Sequence, residues 1–230
     1  MSGRRVVPDD HRATIEHFLS RLDGRGPLAT VVHVGAHAGE EVDAYRRHGA
    51  EWIVLVEANP ASCEALEARF GTDPDVDVVH AALADREGPQ RLLVHANARG
   101  GTESASLLPM KRLGEIVPTL RTEAEIEVPG TTLDALLPRL GVEPAAVGLL
   151  TLDVQGAELQ VLRGATRSLA TVRAVLCEVA LVELYAGAAG EREVEELLTS
   201  AGFTGVDALY YELYEGSHRF PAWGDRLFVR

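Results

Sequence analysis

The sequence predicts an α/β fold, a mostly parallel sheet with helices on both faces and one antiparallel strand near its C-terminal edge. Three observations lead there. Short apolar runs alternate with segments of helical period along most of the chain. The first run, in VVHVGAHAG (31–39), stops at a glycine turn, and the second, in WIVLVEANP, ends on Glu57, eighteen residues beyond Gly39. The last two runs, FTGVDALYY (203–211) and DRLFVR (225–230), have no helix between them and are therefore expected to pair antiparallel.

Taken in order, residues 9–22 place Ile15, Phe18, Leu19 and Leu22 on one face, behind Asp9 and Asp10, and read as an amphipathic helix. LATVVHVG (28–35) is the first buried strand, with a short helix from Glu40 to His48 after it. WIVLVEA (52–58) is the second strand. Asn59 then has the chemistry of an N-cap and Pro60 that of a first helical residue, opening a helix to Phe70. VDVVHAAL (76–83) reads as the third strand, and DREG (85–88) as a turn into RLLVHAN (91–97). Residues 98–130 show no clean period and read as an insertion that faces the substrate. A helical pattern returns at TTLDALLPRL (131–140). VGLLTLDV (147–154) is a strand, Ala157 to Leu169 a helix, RAVLCEVA (173–180) a strand and EREVEELLTSAG (191–202) a helix. The whole is expected to be a single domain over residues 1–230.

Composition narrows the function. The net charge is −13, from 22 basic and 35 acidic residues, with no lysine-arginine block, so nucleic acid is not the expected partner. Arg4 and Arg5 are too few to form a basic arm. No apolar stretch is long enough to span a membrane, and the start, MSGRRVVPDDH, lacks the apolar core of a secretory signal. Cys63 and Cys177 read as buried free thiols of a reducing compartment, and the expected location is cytoplasmic. A small-molecule acceptor is the expected partner, and self-association stays open.

In open α/β sheets ligands bind beyond the carboxyl ends of the strands, so the chemistry is sought just after each apolar run. Gly35 and Gly39 are separated by Ala36, His37 and Ala38, and the G-x-G-x-x-G of a pyrophosphate cradle is absent. That favours a nucleoside without pyrophosphate, such as S-adenosylmethionine, with Glu57 accepting from the ribose hydroxyls; the alternative for Glu57 is a strand-end carboxylate paired with an arginine. His37 reads either as a contact to cofactor or substrate or as a polar turn residue facing solvent. His33, inside a strand, reads as a satisfied core histidine. Asp153 ends a middle strand in LLTLDVQGAELQVLRGA (149–165) and is the candidate to orient or deprotonate a hydroxyl, or to hold Mg²⁺ together with Glu178. A helix N-cap is the alternative for Asp153, and Glu158 reads as a first-turn acid. Ser104 and Ser106 are either pocket residues or ordinary loop serines, and YYELYEGSHRF (210–220) supplies another wall.

VVHVGAHAGEE, VLVEANP, HAALADREG, TTLDALL, GLLTLDVQGAELQVLRGA and VLCEVA, in this order, resemble the FkbM family of S-adenosylmethionine-dependent methyltransferases over roughly residues 29–181. The resemblance implies a class I methyltransferase Rossmann-like sheet and methylation of a hydroxyl on a sugar, polyketide or other secondary metabolite. It implies cofactor contacts from Gly35, His37, Gly39, Glu57 and Asn59, with Ala82 and Leu83 near adenine and Asp153 at the reaction centre. The chain departs from the family at His33, where an aspartate is frequent, at Thr151, where a lysine is frequent, and at Gln155, where a glutamate is common. Two other readings remain: an NAD-dependent oxidoreductase, which the missing glycine disfavours, and a non-catalytic cofactor-binding member, which Glu57 and Asp153 disfavour.

Overall fold

The computed structural model describes residues 11–96, 104–215 and 217–230. The chain runs α1 (His11–Ser20), β1 (Ala29–Val34), α2 (Val42–Arg47), β2 (Ala50–Glu57), α3 (Pro60–Phe70), β3 (Val76–His80), β4 (Ala82–Leu83) and β5 (Gln90–Ala96). It continues with α4 (Arg112–Ile116), β6 (Arg121–Val128), β7 (Gly130–Thr131), α5 (Leu133–Leu140), β8 (Val147–Leu152), α6 (Glu158–Arg163), β9 (Ala174–Ala180), α7 (Glu191–Ser200), β10 (Thr204–Glu215) and β11 (His218–Val229). Seven strands form one sheet in the order β10-β11-β9-β8-β1-β2-β3. Within it β11 alone runs antiparallel, between β10 and β9. No helix among the described residues is long and apolar enough to cross a membrane.

Alternation along the strands builds two cores. Val32, Val34, Val54, Val56, Leu150 and Leu152 point to one face and pack against Leu133 and Leu137 of α5, Val161 and Leu162 of α6 and Val194 and Leu198 of α7. Val31, Ile53, Leu55 and Leu149 point to the other and pack against Phe18 and Leu19 of α1, Tyr45 of α2 and Leu66 and Phe70 of α3. Covered on both sides, β8 is buried at all six positions, which is why it reads as a continuous apolar run. The predicted cap of α3 is present: the Asn59 side chain accepts from Ala61 N–H (3.1 Å) with Pro60 in the first turn. Thr132 caps α5 in the same way, and Gly141 ends that helix in a left-handed conformation (φ 72°).

Four expectations change. The strand expected over 76–83 is two strands, because Ala81 N–H still donates to Glu57 O while Ala82 and Ala84 N–H turn to Pro129 and Thr131. β4 thus leaves the main sheet and pairs with β7. The region 98–130, expected without regular structure, contains a strand: β6 pairs antiparallel with β5. Its period of two places Ala124, Ile126 and Val128 inward and Glu123, Glu125 and Glu127 outward, and the glutamates, poor strand formers, hide it. The helix expected over 157–169 stops at Gly164, where any Cβ would meet Ala84 O at 2.0 Å. Finally, residues 210–220, read as a wall between the last two strands, are largely strand themselves among the described residues, since β10 and β11 form one long hairpin. The expected helix start at Asp9 and Asp10, Arg4 and Arg5, and residues 98–103 of the expected insertion lie outside the described residues.

The order of the strands positions the site. β1, β2 and β3 are laid down in one direction, and the chain then returns to place β8 on the other side of β1. A crevice opens at such a reversal, beyond the carboxyl ends of β1 and β8.

Candidate active site

At that reversal the exits of β1 and β8 nearly touch. Asp153 N–H donates to Val34 O (3.0 Å), and a Cβ on Gly35 (φ 84°) would lie 1.8 Å from Asp153 O. Only glycine permits this approach. The turn then folds back on β2. Gly35 and Ala36 N–H donate to Val56 O, and His37, with φ 42°, donates its N–H to Glu57 Oε2 (2.9 Å). Asn59 N–H donates to Glu57 Oε1 (2.7 Å). One buried carboxylate is thereby held at both oxygens by main-chain donors, and further lone pairs on each oxygen remain for other donors.

A cavity of about 590 Å³ opens over these groups. Gly35, His37, Glu57, Ala82, Leu83, Asp153 and Glu178 line it; Gly39 and Asn59 do not. Gly39 instead lets the turn pack on α3, where its Cβ would meet Phe70 at 2.7 Å and Leu66 at 3.0 Å. Asn59 acts through its cap and its hold on Glu57, and its Nδ2 is buried without a partner among the described residues. His33, expected as a core histidine, is buried in β1 and hydrogen-bonded, and it also borders the cavity. Its Nδ1 lies 3.2 Å from Tyr45 Oη, which donates to Thr151 Oγ1 (3.2 Å). His33 and Thr151 are register partners on β1 and β8, so two departures from the family pattern are one connected unit.

Across the cavity the chemistry is carried by side chains. Gln155 follows Asp153 by two residues and has a left-handed backbone (φ 55°). Its Nε2 donates to Asp153 Oδ1 (2.8 Å) and to Glu178 Oε2 (2.9 Å), and its Oε1 accepts from Tyr185 Oη (2.8 Å). Ser106, buried, donates its hydroxyl to Gln155 O (2.7 Å), while Ser104 borders the cavity. Glu158 folds back on the turn, its Oε1 accepting from Val154 N–H (3.0 Å) and Gly156 N–H (3.1 Å).

Burial pushes the Glu178 carboxyl well above the usual carboxylate range, and the Asp153 charge and a hydrogen bond with Asp153 push the same way. Burial, then Asp153, raises Glu158 to about 7. Burial likewise raises the Tyr185 hydroxyl, which keeps it a donor. The Asp153–Glu178 pair expected as a metal site is thus brought together, hydrogen-bonded to each other and both contacted by the Gln155 amide nitrogen. Among the described residues no group of three or more His, Cys, Asp or Glu is arranged to hold a metal ion.

Several site residues escape sequence reasoning. Asp225 sits opposite Glu178 in the β9–β11 register and accepts from Tyr211 Oη (2.9 Å), and the Thr14 hydroxyl, 2.8 Å away, donates to that same oxygen. Trp223 lies beside Tyr211 with ring centroids 5.5 Å apart. Leu107, Leu113, Val117, Leu184 and Leu213 complete an apolar wall. Nothing local marks Asp225, Trp223 and Leu184, the first two of which reach the cavity through the register of β11. Leu107, Leu113 and Val117 instead fall in the stretch 98–130 expected to face the substrate, and Tyr211 and Leu213 in the wall expected over 210–220. No lysine or arginine among the described residues lines it.

No curated protein matches the sequence. The structure is similar to a protein assigned as an S-adenosylmethionine-dependent methyltransferase from Listeria monocytogenes (TM-score 0.53, 10% identity, 95% of this chain and 99% of that one). It is similar to methyltransferase FkbM from Methylobacillus flagellatus (TM-score 0.51, 13% identity, 96% of this chain and 50% of that one). A third likeness is to a protein assigned as an RNA methyltransferase from Pyrococcus horikoshii (TM-score 0.50, 12% identity, 99% and 87%). At these identities the likeness establishes the class I methyltransferase fold and nothing finer. The sequence model of the methyltransferase FkbM domain matches residues 33–204, well over half of the chain. The chain belongs to the FkbM family of S-adenosylmethionine-dependent methyltransferases.

Proposed function

We propose that this enzyme methylates a hydroxyl group on a small molecule – a sugar, polyketide or other secondary metabolite – that is uncharged and partly apolar. The observation that carries the reading is one cavity lined by a backbone-held Glu57, by Asp153 and by a set of apolar side chains. The absence of a cationic side chain from the described lining disfavours phosphorylated and carboxylated acceptors.

S-adenosylmethionine, when bound, supplies an already activated methyl group on a sulfonium. The residues present fit it. Glu57 keeps lone pairs for the ribose hydroxyls, Ala82 and Leu83 offer apolar surface to adenine, and the open backbone at Gly35 and His37 admits the rest. Gly39 and Asn59 support that end from behind. Asp153 orients the acceptor hydroxyl and takes its proton as the new carbon–oxygen bond forms. His37, whose ring has no hydrogen-bond partner among the described residues, is a second group able to touch the acceptor. The apolar wall excludes water from the transfer.

Calorimetry comparing S-adenosylhomocysteine with NAD tests the cofactor end: tight adduct binding with none by NAD is the expected result, and the reverse overturns the reading. With an alcohol acceptor, Asp153→Asn is expected to lower turnover by about 10²–10⁴ while adduct affinity stays within a few-fold. Undiminished turnover in that variant removes Asp153 from the mechanism.

A further inference from the structure

In the Asp153–Gln155–Glu178 cluster one neutral amide contacts both carboxyls, which also meet each other directly. The amide nitrogen of Gln155 lies 2.8 Å from Asp153 Oδ1 and 2.9 Å from Glu178 Oε2, so each of its two hydrogens serves one carboxyl. The amide nitrogen faces the two carboxyls, and on the opposite side Oε1 faces the Tyr185 hydroxyl (2.8 Å), which also lies 3.3 Å from Ser104 O. The backbone beneath is held equally firmly. Its left-handed conformation (φ 55°) is followed by Gly156 at φ 97°, its carbonyl accepts from Ser106, and Glu158 binds the N–H groups on either side. The two carboxyls come from β8's exit and from β9, so no local turn brings them together.

We propose that the Gln155 amide is a built-in bridge for the acceptor site, occupying the position between Asp153 and Glu178 that a divalent cation would otherwise take. Its geometric role stands on these contacts alone; its meaning for the reaction rests on the reading of Asp153 given above. A bridging cation holds two carboxylates by closing on their oxygens at about 2.0–2.6 Å and needs further oxygen ligands. The amide holds them at hydrogen-bond length with no added charge, and it keeps Asp153 aimed without a metal. Gln155 is therefore a positioning residue, and its replacement by glutamate supplies a third carboxylate where the amide stood. The resulting set of oxygens suits a hard divalent cation.

The test is a calorimetric titration of the full chain with Mn²⁺, alone and with S-adenosylhomocysteine, on wild type and Gln155→Glu. Wild type is expected to take up no Mn²⁺ and to melt at the same temperature in EDTA and in Mg²⁺. Gln155→Glu is expected to melt lower without metal, to bind about one Mn²⁺ and to recover on its addition. Stoichiometric uptake by wild type overturns the bridge, as does a folded Gln155→Glu protein that takes up none. Should that variant fail to fold, nitrogen-edited NMR of the wild type decides. The Gln155 amide pair, assigned by its loss in Gln155→Met, is expected to exchange slowly with water and to ignore added Mg²⁺. Fast exchange, or displacement by Mg²⁺, sinks the proposal. Loss of adduct binding by wild type would instead strike the methyltransferase reading of the cavity and leave the bridge standing.

Discussion

The two ends of the cavity are built in opposite ways. At the Glu57 end, backbone groups from residues 37 and 59 hold one carboxylate, and every participant lies in a short stretch around β1 and β2. At the Asp153 end, side chains hold side chains, and the contacts join residues 106, 153, 155, 178 and 185 from separate elements. Main-chain donors are present whatever the sequence, so the first end suits a ligand shared by many relatives. Side-chain contacts change with single substitutions, so the second end is where one enzyme can differ from another.

The largest effect should come from breaking the junction between the ends. In Gly35→Ala the new Cβ meets Asp153 O at 1.8 Å on a left-handed backbone, and a loss of more than about 4 kcal/mol in urea unfolding is expected. A loss below about 1 kcal/mol would mean that the ends are not rigidly joined. Next comes Glu57→Gln. An amide cannot accept at both ends, so one of the two N–H groups loses its partner and ribose loses an anionic acceptor. Adduct affinity should fall on the order of a hundredfold, from about 3 kcal/mol of charged hydrogen bonding, with acceptor KM little changed.

Tyr185→Phe tests the other end more gently. It removes the donor that orients Gln155, at a cost of about 1 kcal/mol, and should lower kcat several-fold with unaltered adduct affinity. An equal loss in adduct affinity would show that the ends are coupled through Gln155. The last effect is electrostatic. Glu158 titrates at about 7 in the fold against 4.5 unfolded, so the folded state binds the extra proton between those values. Its contribution to stability is present below pH 4.5 and is lost as pH rises through about 7. Glu158→Gln should flatten that part of the stability profile measured by denaturant midpoints, and an unchanged slope would assign it to other groups.

The same division explains what could be read in advance. The run that ends in Glu57, the cap at Asn59 and the buried pattern of β8 are local, and they were legible from residue type and spacing. The strand at Arg121–Val128 was not, because three outward glutamates mask a period of two that only its partner β5 makes meaningful. Gly39 and Asn59, for which the family resemblance implies cofactor contact, lie behind the cavity wall, a position that depends on how the turn packs against α3. Asp225 and Trp223 reach the site only through the register of β11 on β9.

The amino-acid order by itself determined the alternating α/β plan, the crevice at the strand ends, the FkbM membership and the carboxylates that face it. These follow from local periodicity and from residue chemistry at fixed spacings. Only the tertiary structure decided that one amide contacts both Asp153 and Glu178, that Tyr185 meets its other end and that His33 and Thr151 meet through Tyr45. Those are contacts between residues far apart in the chain. Their existence depends on strand register and side-chain direction, which no short stretch of sequence encodes.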